Sequence, residues 1–235
     1  MKYHLELFSG THSFGKVTSK NGYTVISLDK YMNGSCPWTD YNNENHIKED
    51  ILTFDYKKYD KNKFDLITAS PVCTYWSRLR NCWIGRKCKS IHPTDIITKE
   101  ILENEINTKG KPQVDKIFEI IDYFKPKKYI IENPSTGKMK FYIAEKYSKY
   151  NKFYDVDYCK YSDFGYKKTS RFYTNIENFK PKKCKSDCDN LILHENRLVH
   201  RLHFGDKKRK GCVGGGNNRL NRFRIPSILI KDMLN

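Results

Sequence analysis

The segment FDLITASPVCTYWS (residues 64–77) begins as an apolar run that is typical of a strand buried on both faces. Pro71 interrupts the run, and Cys73 follows it among polar and aromatic residues. A cysteine is usually a small buried residue of the core. The proline favours a different interpretation here, because it stops the strand and turns the thiol toward a cleft. We therefore predict that Cys73 is a nucleophile at the carboxyl end of this strand.

Strand and helix patterns alternate on either side of this segment. Besides residues 64–70, strands are predicted at residues 3–8, 23–29 and 128–133. Residues 114–124 carry apolar side chains at helical spacing up to Pro126, and residues 153–175 predict two more strands with a turn at Gly165. Residues 78–111 are basic and irregular. The alternation predicts an α/β fold with a mostly parallel, doubly wound sheet and helices on both of its faces.

The composition narrows the class of protein. The chain has 235 residues and a formal net charge of +17, which suits one domain with a small appendage and a polyanionic partner, most simply nucleic acid. A general bias toward lysine is the alternative source of the charge. The N-terminal segment MKYHLELFSG is too polar for a signal peptide, and no run spans a bilayer, so we expect a soluble, intracellular monomer. The eight cysteines favour thiols or metal ligands over disulfides.

A glycine-containing turn, ELFSGTHSFG (residues 6–15), follows the first predicted strand. Gly10 and Gly15 would allow a ligand to approach the backbone closely. Asp29 ends the second strand, where a carboxylate can accept hydrogen bonds from both hydroxyls of a ribose. Asp50 is placed to bind an adenine amino group. Each aspartate has an alternative interpretation as a turn or helix-capping residue.

The strand at residues 128–133 ends in Glu132, Asn133 and Pro134. If this strand pairs with the one before Cys73, a carboxylate and a thiol face the same pocket. Such a pair can act as a proton donor or acceptor and a nucleophile.

Five segments together resemble the DNA (cytosine-5) methyltransferases, which use S-adenosylmethionine. They occur in the family's order: LELFSGTHSFG, SPVCTYWS, IIENP, GYKKTSRFYTN and RIPSILIKDML. Short members from phages and large DNA viruses are the most similar, which implies the host cytoplasm or nucleus as the location. The resemblance implies a Rossmann-like methyltransferase fold with one antiparallel strand near Arg171, and a C-terminal helix near the first strand. Five motifs in the correct order are far more specific than any one of them.

The resemblance also implies roles for individual residues. The catalytic residues would be Cys73, Glu132 and Arg171. The residues that bind S-adenosylmethionine would be Phe8, Ser9, Gly10, Thr11, His12, Gly15, Asp29, Asp50 and Pro71. The substrate would be double-stranded DNA. His12, Val72 and Thr169 depart from the family's pattern, so two alternatives stay open: an RNA cytosine-5 methyltransferase, and a non-catalytic nucleic-acid-binding relic of the fold.

The chain divides into three predicted parts. Residues 1–178 form the catalytic domain, residues 179–224 a small basic target-recognition subdomain, and residues 225–235 a helix that returns to the catalytic domain. The predicted nucleic-acid-binding residues are Lys168, Arg197, Arg201, Lys207, Lys208, Arg209, Lys210 and Arg222. The alternative for these side chains is a solvated charged loop.

The subdomain also carries a metal-binding pattern. Cys184 and Cys188 are separated by three residues, and histidines follow at 194, 200 and 203. We predict a structural zinc ion with Cys184, Cys188 and His194 as ligands, while Cys159 or Cys212 could equally contribute. A looser group of Cys82, Cys88 and His92 is attributed to chance.

Overall fold

The computed structural model describes residues 1–31, 45–88, 92–202 and 223–235. Its strands are β1 (Lys2–Leu7), β2 (Tyr23–Leu28), β3 (His46–Ile47), β4 (Leu66–Ala69), β5 (Lys87–Cys88), β6 (His92–Ile96), β7 (Lys128–Pro134), β8 (Phe153–Asp157), β9 (Thr169–Thr174), β10 (Leu191–His194) and β11 (Arg197–His200). Its α-helices are α1 (Ser13–Lys20), α2 (Lys99–Glu105), α3 (Lys111–Phe124), α4 (Met139–Lys146) and α5 (Ser227–Leu234).

Seven of the described strands form one sheet, in the order β3-β2-β1-β4-β7-β9-β8. The pairs from β3 to β7 are parallel, whereas β9 runs antiparallel to both of its neighbours. The central strands β1, β4 and β7 are buried over most of their length, because helices cover both faces of the sheet. The mostly parallel sheet and its antiparallel strand confirm the predicted fold class.

The two faces of the sheet carry different helices. On one face α3 and α4 pack against β1, β2, β4 and β7, and the fully buried Ile117 and Ile143 belong to this core. On the other face α1 and α5 pack against β7, β8 and β9 through residues such as Val17, Ile130 and Leu229. The periodicity of residues 114–124 correctly predicted the buried face of α3.

The C-terminal helix α5 returns to the catalytic fold beside α1, the helix that follows β1. The backbone N–H of Ile225 donates to the Ser13 hydroxyl at 3.0 Å, and Lys128 Nζ donates to the carbonyl of Leu234 at 2.7 Å. These contacts join the start of the helix to the carboxyl edge of the sheet, where α1 begins, and its end to the opposite edge, where β7 starts. In the described ranges, no helix combines the length and the apolar character needed to cross a bilayer.

Two segments are more regular than their sequences indicate. Residues 78–111 contain the β5–β6 hairpin and α2, which begins where the Thr98 side chain accepts the N–H of Ile101 at 3.2 Å. A buried ion pair between Arg80 and Glu105 anchors α2. The region after residue 179 contains the antiparallel β10–β11 hairpin. Contacts between distant residues produce these elements, which local periodicity does not reveal.

Candidate active site

A cavity of about 410 Å³ opens at the carboxyl ends of β1, β2, β4 and β7. In an open parallel sheet this is where a ligand is expected, because the loops that follow neighbouring strands splay apart there. The cavity is lined by Cys73 and Glu132 together with the loops after β1 and β2. The predicted cofactor residues on its wall are Phe8, Ser9, Gly10, Thr11, Asp29, Asp50 and Pro71.

The register of β4 and β7 explains why Cys73 and Glu132 meet. Ala69, the last residue of β4, pairs with Ile131, so Glu132 on β7 and Cys73 in the loop after β4 both lie beyond this pair at the same edge of the sheet. The Asn133 side chain then donates to the carbonyl oxygen of Pro71 at 3.2 Å, which joins the two strand ends directly. The thiol and the carboxylate therefore face one cavity, as the sequence predicts.

Cys73 is half-buried, and its surroundings keep the thiol protonated. Burial raises the pKa of Cys73 and so does the negative charge of Glu132, while the ammonium of Lys168 opposes them. The net pKa lies above the ordinary value for a cysteine. A reaction that needs the thiolate therefore requires a lower pKa of Cys73 when the substrate is bound. Neutralising the negative charge of Glu132 would lower it.

Glu132 is buried and has two polar neighbours. The hydroxyl of Tyr158 donates to its Oε1 at 3.1 Å, and Lys168 Nζ lies 3.5 Å from the same oxygen. The Lys168 ammonium also sits 4.8 Å from the centre of the Tyr158 ring. The sequence assigned Lys168 to DNA and did not identify Tyr158. Tyr158 directly follows β8. It reaches Glu132 because β8 pairs with β9 and β9 pairs with β7, and this pairing cannot be read from the residues around Tyr158 in the sequence.

Arg171, the third predicted catalytic residue, does not belong to the described residues that line the cavity. Glu132 pairs with Phe172 across β7 and β9, so the two side chains share a face and Arg171 points to the other face. There the guanidinium forms a bidentate ion pair with Asp155, at 2.7 and 2.8 Å, and stacks 3.6 Å from the centre of the Phe153 ring. Lys168 precedes β9 and reaches Glu132 instead.

The turn after β1 has the geometry of a ligand cradle. Gly10 has a φ of +46°, in the left-handed region that favours glycine, and its N–H donates to Asp29 Oδ2 at 2.9 Å. Within the described residues, the buried Ser9 hydroxyl has no hydrogen-bond partner. An orphaned buried hydroxyl on a cavity wall is costly unless a ligand pairs with it. This observation fits a bound polar group such as the amino acid end of S-adenosylmethionine.

The two aspartates of the cavity also hold the loops. Asp29 Oδ1 accepts the N–H of Tyr31 at 2.8 Å, so each of its oxygens already has one backbone donor. Asp50 accepts the N–H of Leu52 at 3.0 Å and forms a 2.8 Å ion pair with Lys30. A carboxylate oxygen has a second lone pair, so the turn-forming role and the predicted ligand-binding role are compatible.

His12 and Gly15 lie in the turn but do not line the cavity. The His12 ring is buried against Glu6 Oε2 at 3.2 Å and stacks on His46, with 4.7 Å between ring centres. A Cβ on Gly15 would stand 2.6 Å from Glu6 Oε2, so the glycine makes room for Glu6 rather than for a ligand. The His12 side chain and the missing side chain at Gly15 therefore serve packing around Glu6 in this structure.

Glu6 is a residue of the site that sequence reasoning missed. It is a buried carboxylate on β1 and accepts hydrogen bonds from the Gly15 N–H at 3.0 Å and the Ser27 hydroxyl at 3.0 Å. Burial raises the pKa of Glu6, but the hydrogen bond from His12 and the other contacts outweigh it, so the net pKa is lowered. Glu6 thus anchors the start of α1 at the cavity wall, and a charged residue inside an apolar strand was its signal.

The predicted nucleic-acid-binding residues separate into three groups. Lys168 lies in the cavity, as described. Arg197 is exposed on β11, whereas the Arg201 guanidinium donates to the carbonyl of Asp163 at 2.6 Å and so supports the fold. The others fall outside the described residues: Lys207, Lys208, Arg209, Lys210 and Arg222.

Cys184 and Cys188 lie together with Cys159, one of the two alternatives that the sequence left open, and with His200 in place of the predicted His194. Their sulfur atoms belong to a group with Cys159 and His200 in which all ligand atoms are within 4.8 Å of one another. His194 is outside this group. His194 and Arg197 flank the turn of the β10–β11 hairpin, whereas His200 lies at the opposite end, beside the cysteines.

Comparisons with known proteins agree with this architecture. The chain is similar to a methyltransferase of Entamoeba histolytica, at 18% identity and a TM-score of 0.50, over 77% of this chain and 55% of that structure. A methyltransferase of S. pombe gives 16% identity and a TM-score of 0.45, over 78% and 53%. The chain thus spans about half the length of these solved structures. The first likeness shows the Rossmann-like methyltransferase fold.

The family follows from a closer relative. The chain is 38% identical over 238 residues to a Frog virus 3 (isolate Goorha) protein named "Probable DNA (cytosine-5)-methyltransferase", with 98% of this chain and 97% of that protein covered. No protein-family model matches the chain. The full-length identity is sufficient: the chain belongs to the DNA (cytosine-5) methyltransferase family, as the five motifs predict.

Proposed function

We propose that this protein transfers a methyl group from S-adenosylmethionine to C5 of cytosine in double-stranded DNA. The observation that carries the proposal is the meeting of Cys73, Glu132 and the glycine turn of β1 on one cavity. The viral relative's name, which specifies DNA and cytosine C5, supports the same reaction.

Cys73 would act as the nucleophile. Cytosine C5 is a weak nucleophile, so its electron density must increase before it can accept a methyl group. A covalent bond to C6 increases that density. The Cys73 thiolate attacks C6 and forms a covalent C–S bond, while Glu132 shares a proton with N3, and the electron pair moves toward C5. S-adenosylmethionine would supply an electrophilic methyl group for C5, and S-adenosylhomocysteine would leave with the electron pair of the broken methyl–sulfur bond. Transfer of the C5 proton to a base such as water would then re-form the C5–C6 double bond, and the Cys73 thiolate would leave with the electron pair of the C–S bond.

The electrostatics of the cavity couple the two residues. The charge of Glu132 contributes to the raised pKa of Cys73. When the Glu132 carboxyl shares a proton with cytosine N3, its negative charge is reduced, and the Cys73 proton is easier to lose. The thiol would therefore become reactive chiefly when a cytosine is in place. Tyr158 and Lys168 would hold the carboxyl in position through their contacts with Oε1.

Residues of the β1 and β2 ends would bind the cofactor. Asp29 retains lone pairs for the ribose hydroxyls, Asp50 is placed to bind the adenine amino group, and the unpartnered Ser9 hydroxyl would pair with the amino acid end. Phe8, Thr11 and Pro71 would complete the wall as lining residues. The zinc ion that the sequence predicts would be bound elsewhere and has no part in this chemistry.

The DNA-binding role rests on charge and on the chemistry of the target. A cytosine inside a duplex must leave its stack before Cys73 can reach C6, at a cost of a few kcal/mol. The net charge of +17 would favour phosphate contacts and make binding strongly salt-dependent. Residues 179–224 would form the target-recognition part, between the catalytic residues 1–178 and the returning helix at residues 225–235.

Transfer of a labelled methyl group to unmodified DNA and to RNA tests this function. We expect label in duplex DNA and a covalent protein–DNA adduct when cytosine is replaced by 5-fluorocytosine, because fluorine prevents release of Cys73. Label in RNA but not in DNA would favour an RNA methyltransferase. Tight binding of DNA without label or adduct, over varied sequences, would favour the non-catalytic alternative.

A further inference from the structure

A compact group of metal-type ligands lies outside the catalytic cavity. Cys159 follows β8, Cys184 and Cys188 lie in the loop before β10, and His200 ends β11. The three thiols are buried, with exposed fractions of 3%, 7% and 9%, and none of them forms a disulfide. Segments that are up to 41 residues apart in the chain, from 159 to 200, therefore converge on one point.

The spacing of these atoms matches a tetrahedral zinc centre. Zinc–sulfur bonds of about 2.3 Å and zinc–nitrogen bonds of about 2.0–2.1 Å place a sulfur and a nitrogen about 3.5 Å apart in a tetrahedron. In the structure, His200 Nε2 lies 3.6 Å from Cys184 Sγ and 3.4 Å from Cys188 Sγ. One imidazole nitrogen thus faces two sulfurs at the distance that a shared metal ion imposes.

The loop between Cys184 and Cys188 turns sharply. Ser186 adopts a φ of +62°, a strained conformation for serine that turns the chain between the two cysteines. The turn lets both sulfur atoms face the same imidazole nitrogen, His200 Nε2.

A second set of contacts orients the ligand segments. The Cys184 N–H donates to Asp157 Oδ2 at 2.8 Å, and Lys167 Nζ donates to the Cys184 carbonyl at 3.1 Å. The Asn190 amide donates to the carbonyl of Cys159 at 2.9 Å. Three thiolates and Zn²⁺ leave one negative charge, and the nearby Lys167 ammonium would partly balance it.

The hairpin has a small apolar core. Its buried cluster consists of the three cysteines with Leu191 packed against them, whereas Leu193 is 71% exposed and Leu198 58% exposed. A two-stranded hairpin with little apolar core is marginally stable in water. A metal ion that joins three segments supplies further stabilisation in small loop-rich units.

We propose that Cys159, Cys184, Cys188 and His200 bind one structural zinc ion that fastens the β10–β11 hairpin to the end of β8. This Cys3His centre goes beyond the methyl transfer reaction and does not depend on it. It has a consequence for the active site, because Cys159 directly follows Tyr158, whose hydroxyl donates to Glu132 at 3.1 Å. The metal would therefore fix the segment that positions the catalytic carboxyl.

Metal content and cobalt spectroscopy test the centre without any assay of activity. Protein purified without chelator should contain one zinc per chain by elemental analysis. After removal of zinc under reducing conditions, Co²⁺ alone should produce intense thiolate-to-cobalt bands and the visible bands of a tetrahedral site. Zinc-free protein with an unchanged thermal unfolding midpoint, or Co²⁺ spectra of an octahedral site without thiolate bands, would overturn the proposal.

Variants identify the ligands with matched controls on the same elements. His200→Ala should lose the tetrahedral cobalt spectrum or bind Co²⁺ at least about tenfold more weakly, whereas His194→Ala on the partner strand should keep both. Cys184→Ser should lose zinc, while Cys82→Ser, at an exposed cysteine, should retain one zinc per chain. Loss of zinc in His194→Ala with retention in His200→Ala would contradict the assigned ligand set. If a ligand variant does not fold, the cobalt spectrum of the wild-type chain still decides whether three thiolates bind.

Discussion

Two groups of cysteines in this protein show how surroundings assign a function to the same side chain. Cys73 is half-buried at the end of β4, and both burial and the Glu132 carboxylate raise its pKa. Cys184 and Cys188 instead share an imidazole nitrogen at 3.6 and 3.4 Å, and the Cys159 thiol belongs to the same group. The first environment suits a nucleophile that is activated by its substrate, and the second suits permanent metal thiolates.

The largest effect is expected from the nucleophile. Cys73→Ser should reduce methyl transfer by about 10⁴-fold or more, because a hydroxyl is a much weaker nucleophile toward C6 than a thiolate. The fold, cofactor affinity and zinc content should be unchanged, since the two side chains are close in size. The measurement is labelled methyl incorporation into DNA, with Cys82→Ser as the control that keeps activity. Full transfer by Cys73→Ser would exclude the proposed covalent mechanism.

Glu132→Gln should increase the reactivity of the Cys73 thiol toward an alkylating reagent and at the same time lower the rate of methyl transfer. The amide removes the negative charge that helps to raise the pKa of Cys73, so iodoacetamide should alkylate Cys73 faster near pH 8 than in the wild type. Methyl transfer should nevertheless fall roughly 10²- to 10⁴-fold, because proton transfer at N3 is lost. Peptide mass spectrometry gives the alkylation rate of each cysteine.

The same alkylation experiment compares the two groups of cysteines in the wild type. Below the raised pKa the Cys73 thiol is protonated, so its rate should still increase with pH where N-acetylcysteine has levelled off. Zinc-bound cysteines should stay unmodified until a chelator is added. Equal alkylation of Cys73 and Cys184 without chelator would remove the distinction between the two groups.

Lys168 and Arg171 form the next comparison. Lys168→Met should lower kcat about 10- to 100-fold and shift the pH profile, because it removes an ammonium 3.5 Å from Glu132. Arg171→Ala should chiefly lower the unfolding temperature, because it removes the Asp155 ion pair and the contact with Phe153. Kinetics and thermal unfolding of both variants check this. A loss of kcat in Arg171→Ala at unchanged stability would restore the catalytic role that the sequence predicted.

The smallest of these effects is expected at the cofactor. Asp29→Ala should weaken S-adenosylmethionine binding by about 1.5–3 kcal/mol, because a charged acceptor for the ribose hydroxyls is lost. Calorimetry measures this affinity. Part of the loss would come from the turn, since Asp29 also accepts the N–H groups of Gly10 and Tyr31. Unchanged affinity would rule out the assigned role.

Strand ends were predictable from sequence because they depend on local patterns. Apolar runs that stop at Pro71, Asp29 and Glu132 predict parallel strands, and the carboxyl ends of parallel strands necessarily share one edge of the sheet. The same reasoning could not identify Glu6, because its role requires Gly15 and Ser27 to meet it from other elements. It also missed α2, which depends on the pairing of Glu105 with Arg80.

The sequence by itself determined the α/β fold, the family and the meeting of Cys73 with Glu132. The tertiary structure decided which neighbouring side chains complete each site: Lys168 rather than Arg171 beside Glu132, and His200 rather than His194 beside the cysteines. The physical reason is the same in both cases. A residue's neighbours along the chain indicate that it lies on a strand, but the register with another strand decides which face and which end it occupies.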